Sequence, residues 1–244
     1  MRYIIFFYFI LIFNVSAQQE GRMETDRPDQ TECPLIVKKG YFQAEIGFNR
    51  NASRKEVVYL TPTSLLKIGV LSWAELRFTS VLETKNQSRS LKVESTGAKF
   101  HLLRGSTWIP RTALIVQYHV NNQNRDASER NDAPHSLGEA VFTMQHTKGA
   151  FGVGYNLGAE FHSKGGVEGI IRIAPNVTLG ERGYAYAEFF GRLPKTNLTD
   201  TWVDGGYAYY LTDDLKVDIS AGKSLNEGSL WYLALGVSCR FKLY

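Results

Sequence analysis

The chain has 244 residues, a formal net charge of +4 and 21% charged residues, a balance that argues against a nucleic-acid-binding protein. Its two cysteines, Cys33 and Cys239, are far apart, and no His-x-x-x-His or Cys-x-x-Cys pair occurs, so the familiar metal-ligand spacings are excluded. The informative excess is 13% aromatic residues together with 22 glycines, which suits a β-barrel with aromatic girdles and a close-fitting interior.

Met1-Arg2 is followed by an unbroken apolar run from Tyr3 to Phe13, then Asn14 and the small-residue pattern Val15-Ser16-Ala17. The run is too short for a helix crossing ~30 Å of hydrocarbon and predicts a signal peptide over 1–17, cleaved before Gln18. Gln18, in place of a cysteine, argues against a lipid anchor. Export would bring Cys33 and Cys239 into an oxidising compartment, where they could pair. Strand parity instead turns Cys239 toward lipid, so the pairing stays open.

Residues 18–40 form a polar tail without strand alternation. The tail carries Asp26, Arg27, Asp29 and Glu32. It is expected at the mouth of the barrel or folded back into the lumen, paired there with Lys67, Arg77, Lys99 or Arg240.

From residue 41 the chain repeats about ten residues of alternation followed by a polar connection. Val153, Tyr155, Leu157, Ala159 and Phe161 share one face, and Gly152, Gly154, Asn156, Gly158 and Glu160 the other. Such a period of two marks strands with one apolar face. Twelve strands are predicted, near 41–50, 56–70, 73–82, 92–103, 108–120, 138–147, 150–161, 166–174, 182–192, 201–211, 214–222 and 229–243. Short connections alternate with longer polar ones, the longest being 121–137. That is the pattern of an outer-membrane barrel with short periplasmic turns. An even count leaves both termini in the periplasm.

Alternation alone fits two folds, because inside and outside exchange between a transmembrane barrel and a soluble β-sandwich or lipocalin-like barrel. Glycines on the polar face, such as Gly152, Gly154 and Gly158, favour the membrane barrel. Its lumen would then carry Glu45, Lys67, Glu75, Arg77, Lys99, Arg111, Glu160, Arg172, Glu188, Asp218 and Arg240, along with Tyr184, Tyr186, Phe190, Tyr210 and Tyr232. These charges either pair with one another in a sealed lumen or line a solute path.

Neither catalytic nor metal-binding residues are predicted, and no cofactor. His101 and His119 share inward parity, but the expected register sets His101 opposite position 110, too far from His119 for a common ligand. His146 has lipid-facing parity, which leaves open a barrel lipid hydrolase with an outer-surface Ser–His pair. The expected partners are outer-membrane lipid, small solutes and the barrel-assembly machinery.

The stretch Thr25-Asp26-Arg27-Pro28-Asp29-Gln30-Thr31-Glu32-Cys33, then Gly40-Tyr41-Phe42-Gln43-Ala44-Glu45 and Gly47-Phe48, resembles the opening of a known family. That family is the outer-membrane barrels known as transporters of the meta-pathway of phenol degradation. Ser64 to Val70 running into Glu75-Leu76-Arg77 is similar to it, as is Asp204-Gly205-Gly206 through Leu215 to Asn226. Cys33 for Ser, Lys38-Lys39 near a usual Pro, and Lys223 for Gly depart from the pattern. The resemblance implies a non-enzymatic pore or small-solute transporter, for hydrophobic or aromatic solutes. A sealed structural or surface-binding barrel is the alternative from the residues themselves.

Overall fold

The computed structural model describes residues 21–53, 56–85, 88–120, 136–163, 165–193, 199–226 and 230–244. The expected signal peptide, the first residues of the tail and nearly all of the long 121–137 connection lie outside them.

Alternating apolar and polar residues build twelve strands: β1 (Tyr41–Ala52), β2 (Val57–Leu71), β3 (Ala74–Lys85), β4 (Ser88–Leu103), β5 (Arg111–His119) and β6 (Ser136–Lys148). They continue with β7 (Phe151–His162), β8 (Val167–Leu179), β9 (Gly183–Leu193), β10 (Thr199–Thr212), β11 (Leu215–Ser224) and β12 (Trp231–Lys242). Each strand pairs antiparallel with its sequence neighbours, and β12 closes on β1 with Phe42 opposite Phe241 and Gly47 opposite Gly236. Closure leaves no free edge, so every strand finds backbone partners on both sides.

One mouth carries the connections 72–73, 104–110, 149–150, 180–182 and 213–214, and β1 starts there. Gly149 takes a positive φ of 61°, which lets β6 return directly into β7.

The burial pattern settles which face is inside. Lys67, Arg77, Lys99, Glu45 and Glu75 are at most 1% exposed, whereas Leu76, Phe78, Phe142, Leu157, Ile219, Leu233 and Leu235 face outward. An apolar belt this continuous would not persist on a soluble protein, and it fits the hydrocarbon of a bilayer. The soluble alternative inverts this arrangement and is set aside.

Several local expectations differ from the structure. β4 starts at Ser88 rather than near 92, so β3 and β4 form a longer hairpin, while the 104–110 connection is longer than expected. His101 lies opposite Ala113 and His119 opposite Ser95, a register shifted by about three residues that still keeps the two histidines far apart. Trp73 sits in the tight 72–73 turn, free of strand parity, and stacks on outward-facing Phe100 at 6.1 Å.

Candidate functional site

The lumen is occupied by the polar tail. Residues 21–40 enter at the short-turn mouth, cross the interior and leave at the same mouth. The entry is tied to the rim: the Arg22 guanidinium donates to the Glu181 carbonyl at 2.6 Å, Met23 N–H to the Asp213 carbonyl at 2.8 Å, and Arg240 to the Gly21 carbonyl at 2.9 Å. On the way out, Val37 N–H donates to Glu75 at 2.5 Å and Gly40 N–H to the Gly69 carbonyl at 2.9 Å.

Between these ends, wall and tail exchange charges. Asp26 accepts from Lys67 and Lys99 at 2.9 Å each and from Arg77 at 3.1 Å. Glu32 takes both oxygens to the Arg77 guanidinium, at 2.7 and 2.9 Å. Glu45 receives the Asp26 and Arg27 N–H groups at 3.0 Å and also pairs with Lys67. Burial alone would raise the Asp26 carboxyl, but Lys67, Lys99 and Arg77 override it and hold this acid well below the usual carboxylate range.

A second set of contacts anchors the tip. Arg27 pairs with Asp218 at 2.9 Å, and its guanidinium lies where a Cβ of Gly47 or Gly236 would be, so those two glycines open the wall for it. Glu188 accepts from Gln30 N–H at 2.7 Å and from the Thr31 hydroxyl, while Arg172 donates to the Gln30 carbonyl at 2.8 Å. Asn156 and Lys216, neither among the sequence-derived site residues, also hold the tail. Asn156 donates to the Glu32 carbonyl and accepts from Glu32 N–H; Lys216 donates to the Thr25 hydroxyl and the Arg27 carbonyl. Their inward parity was the one available signal.

Asp29 stands apart. Burial, and then the facing Glu188 carboxylate, push its acid well above the ordinary range, with Lys216 a partial counterweight and the Tyr184 hydroxyl donating to it at 3.3 Å. A small recess remains between the two limbs of the tail and the β6–β11 wall, where Asn176, Tyr184 and Lys216 face Glu24 and Asp29.

Not every charge with inward parity meets the tail. Arg111 bonds the Arg104 carbonyl at the mouth, and Glu160 lies beyond the tail paired with Arg192, while Arg240 divides between the Gly21 carbonyl and Asp214. Cys33 is inside the lumen, where its carbonyl accepts from Lys99 at 2.8 Å, and Cys239 is on the outward face; both are free thiols on opposite sides of the wall. His146 faces outward beside the Tyr155 hydroxyl at 3.4 Å, not a serine.

A family model described as "Putative MetA-pathway of phenol degradation" matches residues 25–241, nearly the whole described chain. No curated protein matches the sequence. Among solved structures, an outer membrane channel from Pseudomonas putida F1 superposes with a TM-score of 0.55 at 10% identity, covering 89% of this chain and all of that one. KdgM porin gives 0.55 at 10% identity, over 81% of this chain and 99% of its own. NanC porin gives 0.53 at 9% identity, over 80% and 98%. The fold is therefore that of outer-membrane channels and porins.

Proposed function

We propose, from the premise that the chain belongs to the family described as "Putative MetA-pathway of phenol degradation", that it is an outer-membrane transporter for small solutes, without enzymatic activity. The family description extends the solute class to aromatic compounds. Outer-membrane lipid surrounds the apolar belt, barrel-assembly machinery inserts the chain, and both termini lie in the periplasm.

The observation that carries this reading is the tail, which enters and leaves the lumen at one mouth. A segment so placed can withdraw without threading the barrel. Its retention rests on an ionic latch, Asp26 and Glu32 against Lys67, Arg77 and Lys99. Buried ion pairs add little net stability against apolar alternatives, but breaking one partner leaves an uncompensated charge. The latch therefore specifies one seated register more than it strengthens the barrel. A twelve-stranded barrel lies between small barrels filled by side chains and the open channels of ~16–18 strands. With the tail seated the lumen is stoppered; with it withdrawn, the same charged residues line a path.

The test is conductance of the refolded mature protein in a planar bilayer, with and without residues 18–40. Discrete steps that grow when the tail is removed support a gated transporter. Silence from both forms, with the barrel shown to be folded, overturns that reading in favour of a sealed structural or surface-binding barrel.

A further inference from the structure

Beyond the tail, on the side away from the short turns, the lumen changes character. Phe190 on β9 lies opposite Trp202 on β10, and their rings stack in parallel with centroids 6.2 Å apart. Trp202 in turn meets Tyr232 of β12 at 6.1 Å. Gly222 stands opposite Tyr232, and a Cβ there would run into the Tyr232 ring; a Cβ at Gly206 would run into the Tyr186 ring. The two glycines let both tyrosines lie against the wall instead of standing across the lumen. The result is a continuous aromatic face with Phe190 and Trp202 still partly exposed. Ile115, Val141 and Ile170, on β5, β6 and β8, form an apolar cluster.

The charges around this face are mostly negative. Glu139, Glu160, Glu168, Glu188 and Asp204 share inward parity on β6 to β10, with Asp200 at the rim. Among the described residues, the cations beside them are Arg192, shared by Glu160, Glu168 and Asp200, and Arg172, turned to the Gln30 carbonyl. His119 and His162 border the same region, His162 3.8 Å from Glu168. Asp204 accepts from the Tyr232 hydroxyl through one oxygen, while its buried Oδ1 has no donor. The Tyr186 hydroxyl, on a side chain 7% exposed, likewise lacks a partner.

We propose that this outer half of the lumen is a binding vestibule for aromatic organic cations, in which Trp202 and Phe190 stack on the ring and Asp204 takes the ammonium group. Flat aromatic surfaces hold rings by stacking and hold cations by their negative faces. The excess of carboxylates over guanidinium groups rejects organic anions by like-charge repulsion. Neutral phenols would stack but gain nothing from the carboxylates, so the vestibule discriminates by charge where the family description does not. The inference rests on reading the lumen as a solute path, yet binding at the vestibule does not require the tail to move.

Binding is measured by calorimetry on the refolded mature barrel at low ionic strength, with 2-phenylethylamine, phenylacetate, 2-phenylethanol and ethylamine as probes. The amine should bind about tenfold more tightly than phenylacetate and more tightly than 2-phenylethanol or ethylamine. Asp204→Asn should erase the preference for the amine over the alcohol. Trp202→Ala should weaken all three aromatic probes, with Trp202→Phe restoring most of the loss. Equal or tighter binding of phenylacetate overturns the proposal. So does amine binding that survives both Trp202→Ala and Asp204→Asn in a barrel whose folding is verified by heat-modifiable migration. Selective amine binding together with a silent bilayer would retain the vestibule and refute the transporter.

Discussion

Asp26→Asn isolates the latch. The substitution keeps the side-chain shape and an oxygen for Cys33 N–H, which bonds Asp26 at 3.1 Å, but removes the charge shared by Lys67, Lys99 and Arg77. Breaking a buried charge pair typically costs roughly 3–5 kcal/mol. The lower end applies, since Lys67 keeps Glu45, Arg77 keeps Glu32 and Glu75, and Lys99 keeps the Cys33 carbonyl. About 3 kcal/mol is roughly a hundredfold in the ratio of seated to withdrawn tail. The chain carries its own reporter in Cys33. Burial, and secondarily Asp26, push that thiol well above its ordinary range, so the reactive thiolate is scarce while the tail is seated. In a Cys239→Ser background, labelling of Cys33 by an impermeant maleimide should therefore accelerate about a hundredfold on Asp26→Asn. Cleavage after Glu32 by a glutamate-specific protease, which is indifferent to thiol ionisation, should rise in parallel. Glu56→Gln, which breaks an exposed pair with Lys85 at 2.9 Å, serves as the control and should change neither rate. Unchanged labelling and cleavage in a folded Asp26→Asn barrel would refute the latch.

Asp29 should act in the opposite direction. Its acid is raised in the seated state by burial and by Glu188, so the seated tail binds the proton more readily than the withdrawn one. Its contribution to seating is complete below the ordinary carboxylate range and is lost as pH rises through the raised value. Asp29→Asn should therefore slow Cys33 labelling at pH 7 and flatten its rise between acidic and neutral pH; a faster rate would contradict the assignment. Asp26, held low, contributes above the ordinary carboxylate range, and its share of seating is lost only in strong acid. On the outer surface, Leu235 is 52% exposed in the middle of β12, opposite Ile219. Leu235→Arg should destabilise the barrel in lipid vesicles by about 2–4 kcal/mol in denaturant titration. A cost near zero would place that face in water.

The strand number, antiparallel order and division of most side chains between two faces were legible along the chain, because a period of two is a local property of each strand. Register was less legible. The local pattern sets His101 opposite 110, whereas it lies opposite 113, since the 104–110 connection is longer than that pattern implies, and Trp73, inside the predicted 73–82 strand, belongs to a two-residue turn. Of the four cations expected to pair with the tail, Lys67, Arg77 and Lys99 meet at Asp26, while Arg111 and Glu160, with the same inward parity, meet other groups. Asn156 and Lys216 carried no signal beyond facing inward.

The sequence by itself determined that the chain would make about twelve half-apolar strands with a polar segment ahead of them. Alternation alone did not determine which face was the interior, because it looks the same when inside and outside are exchanged; only glycines on the polar face pointed that face inward, and the barrel turns the charges inward and the apolar side chains outward. Depth was also decided only by strand pairing. The partners of Asp26 stand 41, 51 and 73 residues away on three separate strands, and only the registers of β2, β3 and β4 bring their cations to one height in a narrow lumen.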